Sequence, residues 1–279
     1  MNALELRNVT KKYREFTFDN VTLELPQGCV LGLVGENGAG KTTMMKLILG
    51  SIKKDAGDIT VLGADILKEN VSVKQDIGVV LADDSFPEMI TAAQVGKIMA
   101  SVYKNWDAAK YDEYIRKFGL EGKKKYKEYS RGMKMKLSIA VAMSHNAKLL
   151  LLDEATSGLD PVVRDELLDM FNEFTRDETH SILISSHITS DLEKICDYIA
   201  FMHNGKLVMC EEKDELLKKY GILHCTKEVF GELATGAVIG HKESEYGVEA
   251  LVARDRVPAT FDISPANIDD IIVYLSKKN

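Results

Sequence analysis

The chain has 279 residues, of which 45% are hydrophobic, and it carries a formal net charge of −7 at pH 7. This length and apolar content can bury the core of one domain plus an attachment, and the negative charge argues against nucleic acid as a partner, because contact with phosphates needs a basic field. No stretch approaches the roughly 18 consecutive apolar residues of a membrane helix, and no basic start leads into an apolar segment, so we expect a cytoplasmic protein without a signal peptide.

The beginning of the chain predicts short strands around a glycine-rich loop. Met1–Leu6 alternates as a strand does, and Cys29–Val34 is an apolar run typical of a short buried strand. Apolar side chains at helical spacing then run from Thr43 to Leu49. Between the two stands the pattern G-x-x-x-x-G-K-[ST], formed by Gly35, Glu36, Asn37, Gly38, Ala39, Gly40, Lys41 and Thr42 and followed by Thr43. A strand, a glycine loop and a helix in this order are the context in which the pattern binds nucleotide phosphates.

The chemistry of this loop is specific to phosphates. Its glycines allow backbone N–H groups to turn toward phosphate oxygens, and the helix N-terminus adds a partial positive charge. Lys41 is expected to reach the β- and γ-phosphates, and the Thr42 hydroxyl is expected to ligate Mg²⁺. The sequence therefore predicts a nucleotide site that uses Mg²⁺.

Helical patterns replace the strands from about residue 88 to residue 146. Asp107 is a candidate N-cap, and apolar side chains follow it at three-to-four spacing up to Phe118. The loop ahead of this region carries Asp83 and Asp84.

An apolar run that ends in two acids follows the helical region. Leu149–Leu152 is typical of a parallel strand buried on both faces, and Asp153 and Glu154 come directly after it. The carboxyl end of such a strand delivers its side chains beside the bound phosphates. We expect Asp153 to hold magnesium and Glu154 to orient and deprotonate the attacking water.

The remainder of the chain continues to alternate between helices and strands up to Tyr220, and its sequence pattern differs after that residue. We expect a helix over Val162–Arg176, a strand over Ser181–Ser186 and a hairpin about Asn204-Gly205. After Tyr220, short alternating runs such as Val248–Ala253 precede a closing helix. Its expected start is Ser264-Pro265, and its apolar stripe is Ile268, Ile271, Ile272 and Leu275.

Four further segments, taken with the loop and the acidic strand, resemble the ATPase subunits of ABC transporters. Tyr129-Ser130-Arg131-Gly132-Met133 stands where that family has its signature, and Ser157-Gly158-Leu159-Asp160 stands where it has its D-loop. His187 stands at the position of the switch histidine, and Tyr13 at that of the aromatic that stacks on adenine. The resemblance covers at least Met1 to Tyr220, in the family's order and roughly its spacing.

The resemblance implies an α/β fold. It consists of a P-loop NTPase core of the ABC ATPase type with an antiparallel β region, a helical subdomain and a small α+β C-terminal extension. The ABC ATPase domain is expected at 1–220, with the helical subdomain at about 88–146, and the extension at 221–279. The extension is expected to support packing or the dimer, with effector sensing as the alternative.

The resemblance also implies a two-chain ATP site with ATP and Mg²⁺ as cofactors. Two ATPase domains close head to tail, so that the catalytic and metal-binding residues of one chain face the signature of the other. The catalytic residues implied are Glu154, His187 and Lys41, and the metal ligands are Thr42 and Asp153. The implied ATP-binding residues are Tyr13, the loop from Gly35 to Thr43, Ser130, Gly132 and Asp160.

The implied partners are a separately encoded membrane permease and a second ATPase subunit, identical or not, at the cytoplasmic face of the membrane. The form Ser-Arg-Gly-Met-Lys of the signature resembles the bacterial exporter branch that handles antibiotics, peptides or lipid-linked compounds. The alternative is a non-transport ABC ATPase that acts in a soluble assembly complex.

The chain departs from the family where the Q-loop glutamine is expected. The strand-like Ile77–Ala82 is followed by Asp83 and Asp84, with no glutamine. Either aspartate could replace the missing oxygen ligand to Mg²⁺, or both could be solvated loop carboxylates. The sequence leaves the two readings open.

Overall fold

The computed structural model describes residues 1–68, 70–81, 86–234, 236–245 and 247–276. Asp83 and Asp84 lie outside the described residues, so the two alternatives for the missing Q-loop glutamine stay predictions. In the described ranges no helix is both long and apolar enough to cross a membrane.

The described strands fall into three sheets. Their bounds are β1 Asn2–Lys12, β2 Thr17–Pro26, β3 Val30–Gly35, β4 Ala56–Val61, β5 Ala64–Asp65, β6 Ile77–Val80, β7 Leu149–Asp153, β8 Ser181–Ser185, β9 Tyr198–His203, β10 Lys206–Glu212, β11 Tyr220–Cys225, β12 Val238–Ser244, β13 Gly247–Ala253 and β14 Ile263–Pro265. The helices are α1 Lys41–Ile48, α2 Asn70–Lys74, α3 Ala92–Val102, α4 Ala108–Lys117, α5 Arg131–Ala142, α6 Pro161–Phe174, α7 Thr189–Ile195, α8 Lys213–Lys219, α9 Lys227–Gly231 and α10 Ile268–Ser276. The predicted α/β class is confirmed.

The central sheet has the strand order β10-β9-β3-β8-β7-β6. Strands β6, β7, β8, β3 and β9 are parallel to one another, and β10 pairs with β9 in the antiparallel sense. Every residue of β3, β7 and β8 is buried, which explains their unbroken apolar runs. Because these three strands are parallel, their carboxyl ends meet at one edge of the sheet, where α/β proteins bind ligands.

The antiparallel β region is a sheet in the order β2-β1-β4-β5. Its apolar side chains share one cluster with α1 and with one face of the central sheet, and that cluster includes Leu4, Val21, Met44 and Leu151. The sheet therefore packs against the elements that carry the glycine loop.

Helices α3, α4 and α5 occupy the region predicted to be helical. Thr91 and Gln94 form a capping box at the start of α3, and Asp107 caps α4 by accepting a hydrogen bond from Lys110 N at 2.9 Å. The predicted N-cap at Asp107 is thus confirmed. Tyr111 is buried between the helices, and its hydroxyl donates to Ala92 O at 2.8 Å.

The last part of the chain forms an antiparallel sheet in the order β12-β13-β11-β14, with α9 and α10 beside it. The predicted start of the closing helix at Ser264-Pro265 is wrong. These residues pair with β11 as strand β14, and the helix begins at Ile268. Asn267 and Asp270 exchange reciprocal side chain–backbone hydrogen bonds at the start of α10, which fixes its N-terminus there. The division into domains at residue 220 stays a prediction.

Candidate functional site

The glycine loop joins β3 to α1 at the carboxyl edge of the central sheet. Gly35 passes so close to β9 that a Cβ atom there would lie 2.4 Å from Met202 O. Gly40 has a φ of +111°, and a Cβ there would lie 3.2 Å from the ring of Phe16. Both positions therefore require glycine. Gly35 is needed because the backbone of β9 lies too close for a side chain, and Gly40 is needed because of its left-handed backbone conformation.

Lys41, the first residue of α1, is buried, with 7% of its surface exposed. Its Nζ donates hydrogen bonds to Gly35 O at 2.6 Å and to Glu36 O at 3.2 Å, so the ammonium group is held across the loop. Burial lowers the pKa of Lys41, whereas the nearby Glu154 and Asp153 carboxylates act to raise this pKa and favour the charged form. The loop thus holds a cation beside the N-terminus of a helix.

Asp153 at the end of β7 links the loop to the neighbouring strand. The Thr42 hydroxyl donates to Asp153 Oδ2 at 3.0 Å, and the Ser185 hydroxyl donates to Asp153 Oδ1 at 2.5 Å. Thr42 and Asp153 therefore present adjacent hydroxyl and carboxylate oxygens, the donor type that hard cations take. The role of Ser185, which fixes the orientation of this carboxylate, was not predicted; its only sequence signal is its place at the end of a strand just ahead of His187.

Glu154 adopts the left-handed conformation, with a φ of +54°. Its backbone N–H donates to Ser185 Oγ at 3.1 Å, which holds this uncommon geometry. His187 Nε2 lies 3.2 Å from Glu154 Oε1. Within the described ranges neither buried carboxylate oxygen of Glu154 accepts a hydrogen bond of good geometry. A buried carboxylate with unused acceptor capacity at the strand end is suited to binding a donor that is not part of this chain.

These groups surround one open cavity of about 570 Å³. It is lined by Glu15, Phe16, Glu36, Asn37, Gly38, Gly40, Lys41, Thr42, Thr43, Asp153, Glu154 and His187. The structure therefore brings together most of the predicted loop residues with the two acids and the histidine. Glu15 and Phe16 were not predicted to lie there, and their sequence pattern offers no distinguishing signal.

Tyr13 lies next to this cavity without lining it. Its ring centroid is 6.2 Å from that of Phe16, and Lys11 Nζ lies 5.8 Å from the Tyr13 ring centroid. The Tyr13 residue is 44% exposed. An exposed ring beside the phosphate loop is available for stacking.

Ser130, Gly132 and Asp160 are not among the residues that line the cavity. Ser130 caps α5 by accepting from Met133 N at 3.3 Å, and Asp160 caps α6 by accepting from Val163 N at 3.0 Å. A Cβ at Gly132 would lie 3.2 Å from Leu159 Cδ2. The signature segment of the chain therefore packs beside the segment 157–160, and both lie outside the chain's own phosphate cavity.

The comparisons with known proteins agree with this geometry. A family model described as ABC transporter matches residues 18–157. The uncharacterized ABC transporter ATP-binding protein YhcH of Bacillus subtilis is 33% identical over 268 residues, which cover 94% of this chain and 87% of that protein. The bacitracin transport ATP-binding protein BcrA of Enterococcus faecalis is 34% identical over 221 residues, 78% of this chain and 71% of that protein. A solved dimeric ATP-binding cassette in a post-hydrolysis state, bound to ADP and Pi, shares the fold with a TM-score of 0.69 at 21% identity, over 75% of this chain and 98% of that one.

Proposed function

This chain belongs to the ABC transporter ATP-binding proteins, which are ATPases, and we propose that it drives an exporter by closing as a dimer over ATP. The observation that carries the proposal is the cavity that joins Lys41, Asp153, Glu154 and His187 at one edge of the parallel sheet. Such an arrangement would supply a phosphate-binding loop, a pair of metal ligands and a general base within one site.

ATP binding would use the loop and the helix that follows it. Backbone N–H groups of the segment 38–43 would face the phosphates, the α1 N-terminus would add its dipole, and Lys41 would contribute a full positive charge. The carbonyl oxygens that now accept from Lys41 are neutral, so phosphate oxygens would compete for the same ammonium protons on favourable terms.

Mg²⁺ would be held by the Thr42 hydroxyl and, through water, by Asp153. The two side chains fit this ion, because a hydroxyl and a carboxylate oxygen lie 3.0 Å apart beside the phosphate loop. When bound, the ion neutralises charge on the β- and γ-phosphates. Ser185 keeps the Asp153 carboxylate turned toward Thr42 through its own hydrogen bond.

Hydrolysis would use Glu154 as the general base. Its buried carboxylate would accept a proton from the attacking water. His187 Nε2 lies 3.2 Å from Glu154 Oε1, where it would orient the carboxylate or contact the γ-phosphate. Lys41 and the loop amides stabilise the negative charge that develops on the transferred group.

The second half of each ATP site would come from another ATPase chain. Ser130, Gly132 and Asp160 lie outside the cavity of their own chain, which suits residues that meet the nucleotide of a partner. Closure head to tail would place the hydroxyl and backbone N–H of the signature on the γ-phosphate bound by the partner's loop. Loss of that phosphate removes these contacts, and the dimer opens.

A separately encoded membrane permease is the proposed second partner. Exposed apolar side chains occur on and beside helices α2 and α3, namely Leu67, Val71, Met89, Ile98 and Val102. Gln75, directly after α2, donates to Val102 O and accepts from Lys104 N, which links the end of α2 to the end of α3. An exposed apolar surface of this kind suits a protein partner.

The proposal of an exporter for an antibiotic, a peptide or a lipid-linked compound is supported by the resemblance of the signature to that branch of the family, and the relative BcrA is described as a bacitracin transport protein. The chain would then lie at the cytoplasmic face of the membrane, with no nucleic acid among its partners.

Purification of the protein from detergent-solubilised membranes tests whether it acts with a permease. We expect it to be recovered together with a membrane protein. Recovery with a soluble scaffold alone would favour an assembly ATPase.

Replacing Tyr13 with alanine is expected to weaken ATP binding by roughly 1–3 kcal/mol, the scale of stacking between an aromatic ring and a base. The phosphate contacts would remain, so the affinity for ATP and the affinity for GTP should each fall by the amount that stacking of the base on Tyr13 contributes. Titration of a fluorescent ATP analogue measures it. Phe16→Leu is the comparison variant, because Phe16 lines the cavity and its loss separates the contribution of that ring from the contribution of Tyr13. Unchanged ATP and GTP affinities would leave Tyr13 with a purely structural role.

Replacing Ser185 with alanine is expected to raise the Mg²⁺ concentration for half-maximal ATPase activity by roughly tenfold, because groups that orient a metal ligand contribute on this scale. Ser181→Ala is the control: it removes a buried hydroxyl from the other end of β8, where the hydroxyl accepts from Gly28 N. The same magnesium dependence in both variants would show that Ser185 does not orient Asp153.

A further inference from the structure

Helix α7 begins two residues after His187 and is tied to helix α6 by ion pairs. Arg164 Nε lies 3.4 Å from Asp191 Oδ1, and Asp191 is almost fully buried. Lys194 Nζ donates to Asp165 Oδ1 at 2.6 Å. These contacts join the helix that follows the switch histidine to the helix that follows the segment 157–160.

The C-terminal extension contacts the same short helix. The backbone N–H of Ile268, the first residue of α10, donates to Glu193 Oε1 at 2.8 Å. Helix α10 packs against α7, and Ile268 and Ile271 are fully buried in the apolar cluster that also contains Leu192. A carboxylate at a helix N-terminus is stabilised by the helix dipole as well as by the hydrogen bond.

Helix α7 also packs on β3, the strand that leads into the glycine loop. A Cβ atom at Gly32 of β3 would lie 3.3 Å from Leu192 Cδ2, so the helix sits directly on this strand. The link from β8 to α7 is a closed turn, in which Ser186 Oγ accepts from Ile188 N at 3.0 Å. His187 lies in this turn between β8 and α7, with its Nε2 3.2 Å from Glu154 Oε1, so we expect its position to depend on where α7 packs.

We propose that Glu193 is a positioning residue for ATP hydrolysis. By anchoring α10 on α7, it holds the turn that carries His187 beside Glu154, so that the C-terminal extension sets the hydrolysis rate of the site. Glu193 does not line the cavity, and its effect passes through α7 alone. The inference rests on the function proposed above and adds a regulator to that same site.

Two variants at this position and one matched control test the inference. Glu193→Ala removes the acceptor for Ile268 N, whereas Glu193→Gln keeps a side-chain oxygen there. The control is Asp270→Ala, because Asp270 Oδ2 accepts from Asn267 N at 3.1 Å, a bond made at the same end of α10 between residues 267 and 270. Each alanine variant loses one hydrogen bond from a backbone N–H group at the α10 N-terminus to a side-chain carboxylate. Their melting temperatures show whether the two substitutions destabilise the protein equally.

We expect kcat for ATP hydrolysis in Glu193→Ala to fall by about 3- to 10-fold, within the range measured for coupling through packed elements. KM for ATP should stay unchanged, because Glu193 does not line the cavity and the packing of α7 on β3 is made by Leu192. Glu193→Gln should restore most of kcat. Asp270→Ala should keep the kcat of the unsubstituted protein when assayed well below its melting temperature.

Three results would overturn the inference. Equal losses of kcat in Glu193→Ala and Asp270→Ala would mean that only the stability of the extension matters. A Glu193→Ala variant as active as the unsubstituted protein would remove Glu193 from the reaction while leaving the proposed function intact. Absence of ATP hydrolysis in the unsubstituted protein would overturn the proposed function and this inference together.

Discussion

Replacing Glu154 with glutamine is expected to lower ATP hydrolysis by about 10²- to 10⁴-fold, the range for loss of a general base, while ATP still binds. The amide keeps the shape of the side chain and its oxygen near His187 Nε2, which lies 3.2 Å from Glu154 Oε1. It cannot accept a proton from water, so the loss falls on the chemical step. The measurement is phosphate release at saturating ATP and Mg²⁺, with nucleotide affinity determined in parallel.

The same variant reports on dimer closure. Because the γ-phosphate persists, the contacts from Ser130 and Gly132 of a partner chain persist with it, and the closed dimer should accumulate on size-exclusion chromatography with ATP and Mg²⁺. Glu15→Gln is the matched control, since it makes the same substitution at a different glutamate that lines the cavity. A monomer under these conditions would contradict closure of two identical chains and would point to a different ATPase chain as the partner.

Replacing Lys41 with alanine is expected to abolish measurable ATP binding, with affinity lower by about 10²-fold or more, the scale for losing one member of a buried charged pair. The substitution removes the cation that donates to two carbonyl oxygens of the loop and that would donate to the phosphates. Isothermal titration with ATP and Mg²⁺ measures the loss.

Lys46→Ala is the control for this substitution. Lys46 lies in the last turn of the same helix, does not line the cavity and carries the same charge. Its affinity for ATP should match that of the unsubstituted protein, and both variants should keep the native circular dichroism spectrum. An Lys41→Ala variant that binds ATP normally would contradict the assignment of the glycine loop as a phosphate site.

The sequence predicted several local elements because their signals lie within a few residues. The helix after Asp107 and the hairpin about Asn204-Gly205 are both present in the structure, since a capping side chain and a turn with positive φ act on their own neighbours. The start of the closing helix was wrong for the opposite reason. Ser264-Pro265 has the pattern of a helix start, but in the structure these residues pair with β11 and form a strand. Pairing between distant strands cannot be predicted from a local pattern.

By itself, the sequence determined the α/β class, the glycine loop with Lys41 and Thr42, and the acidic strand end with Asp153 and Glu154. Only the tertiary structure decided that Ser185 hydrogen-bonds to Asp153, that Phe16 lines the cavity and that Glu193 accepts from the first residue of α10. The physical reason is the parallel sheet. Its strand order places β3, β7 and β8 side by side although long segments separate them in the chain, so contacts at their carboxyl ends depend on how the whole sheet assembles.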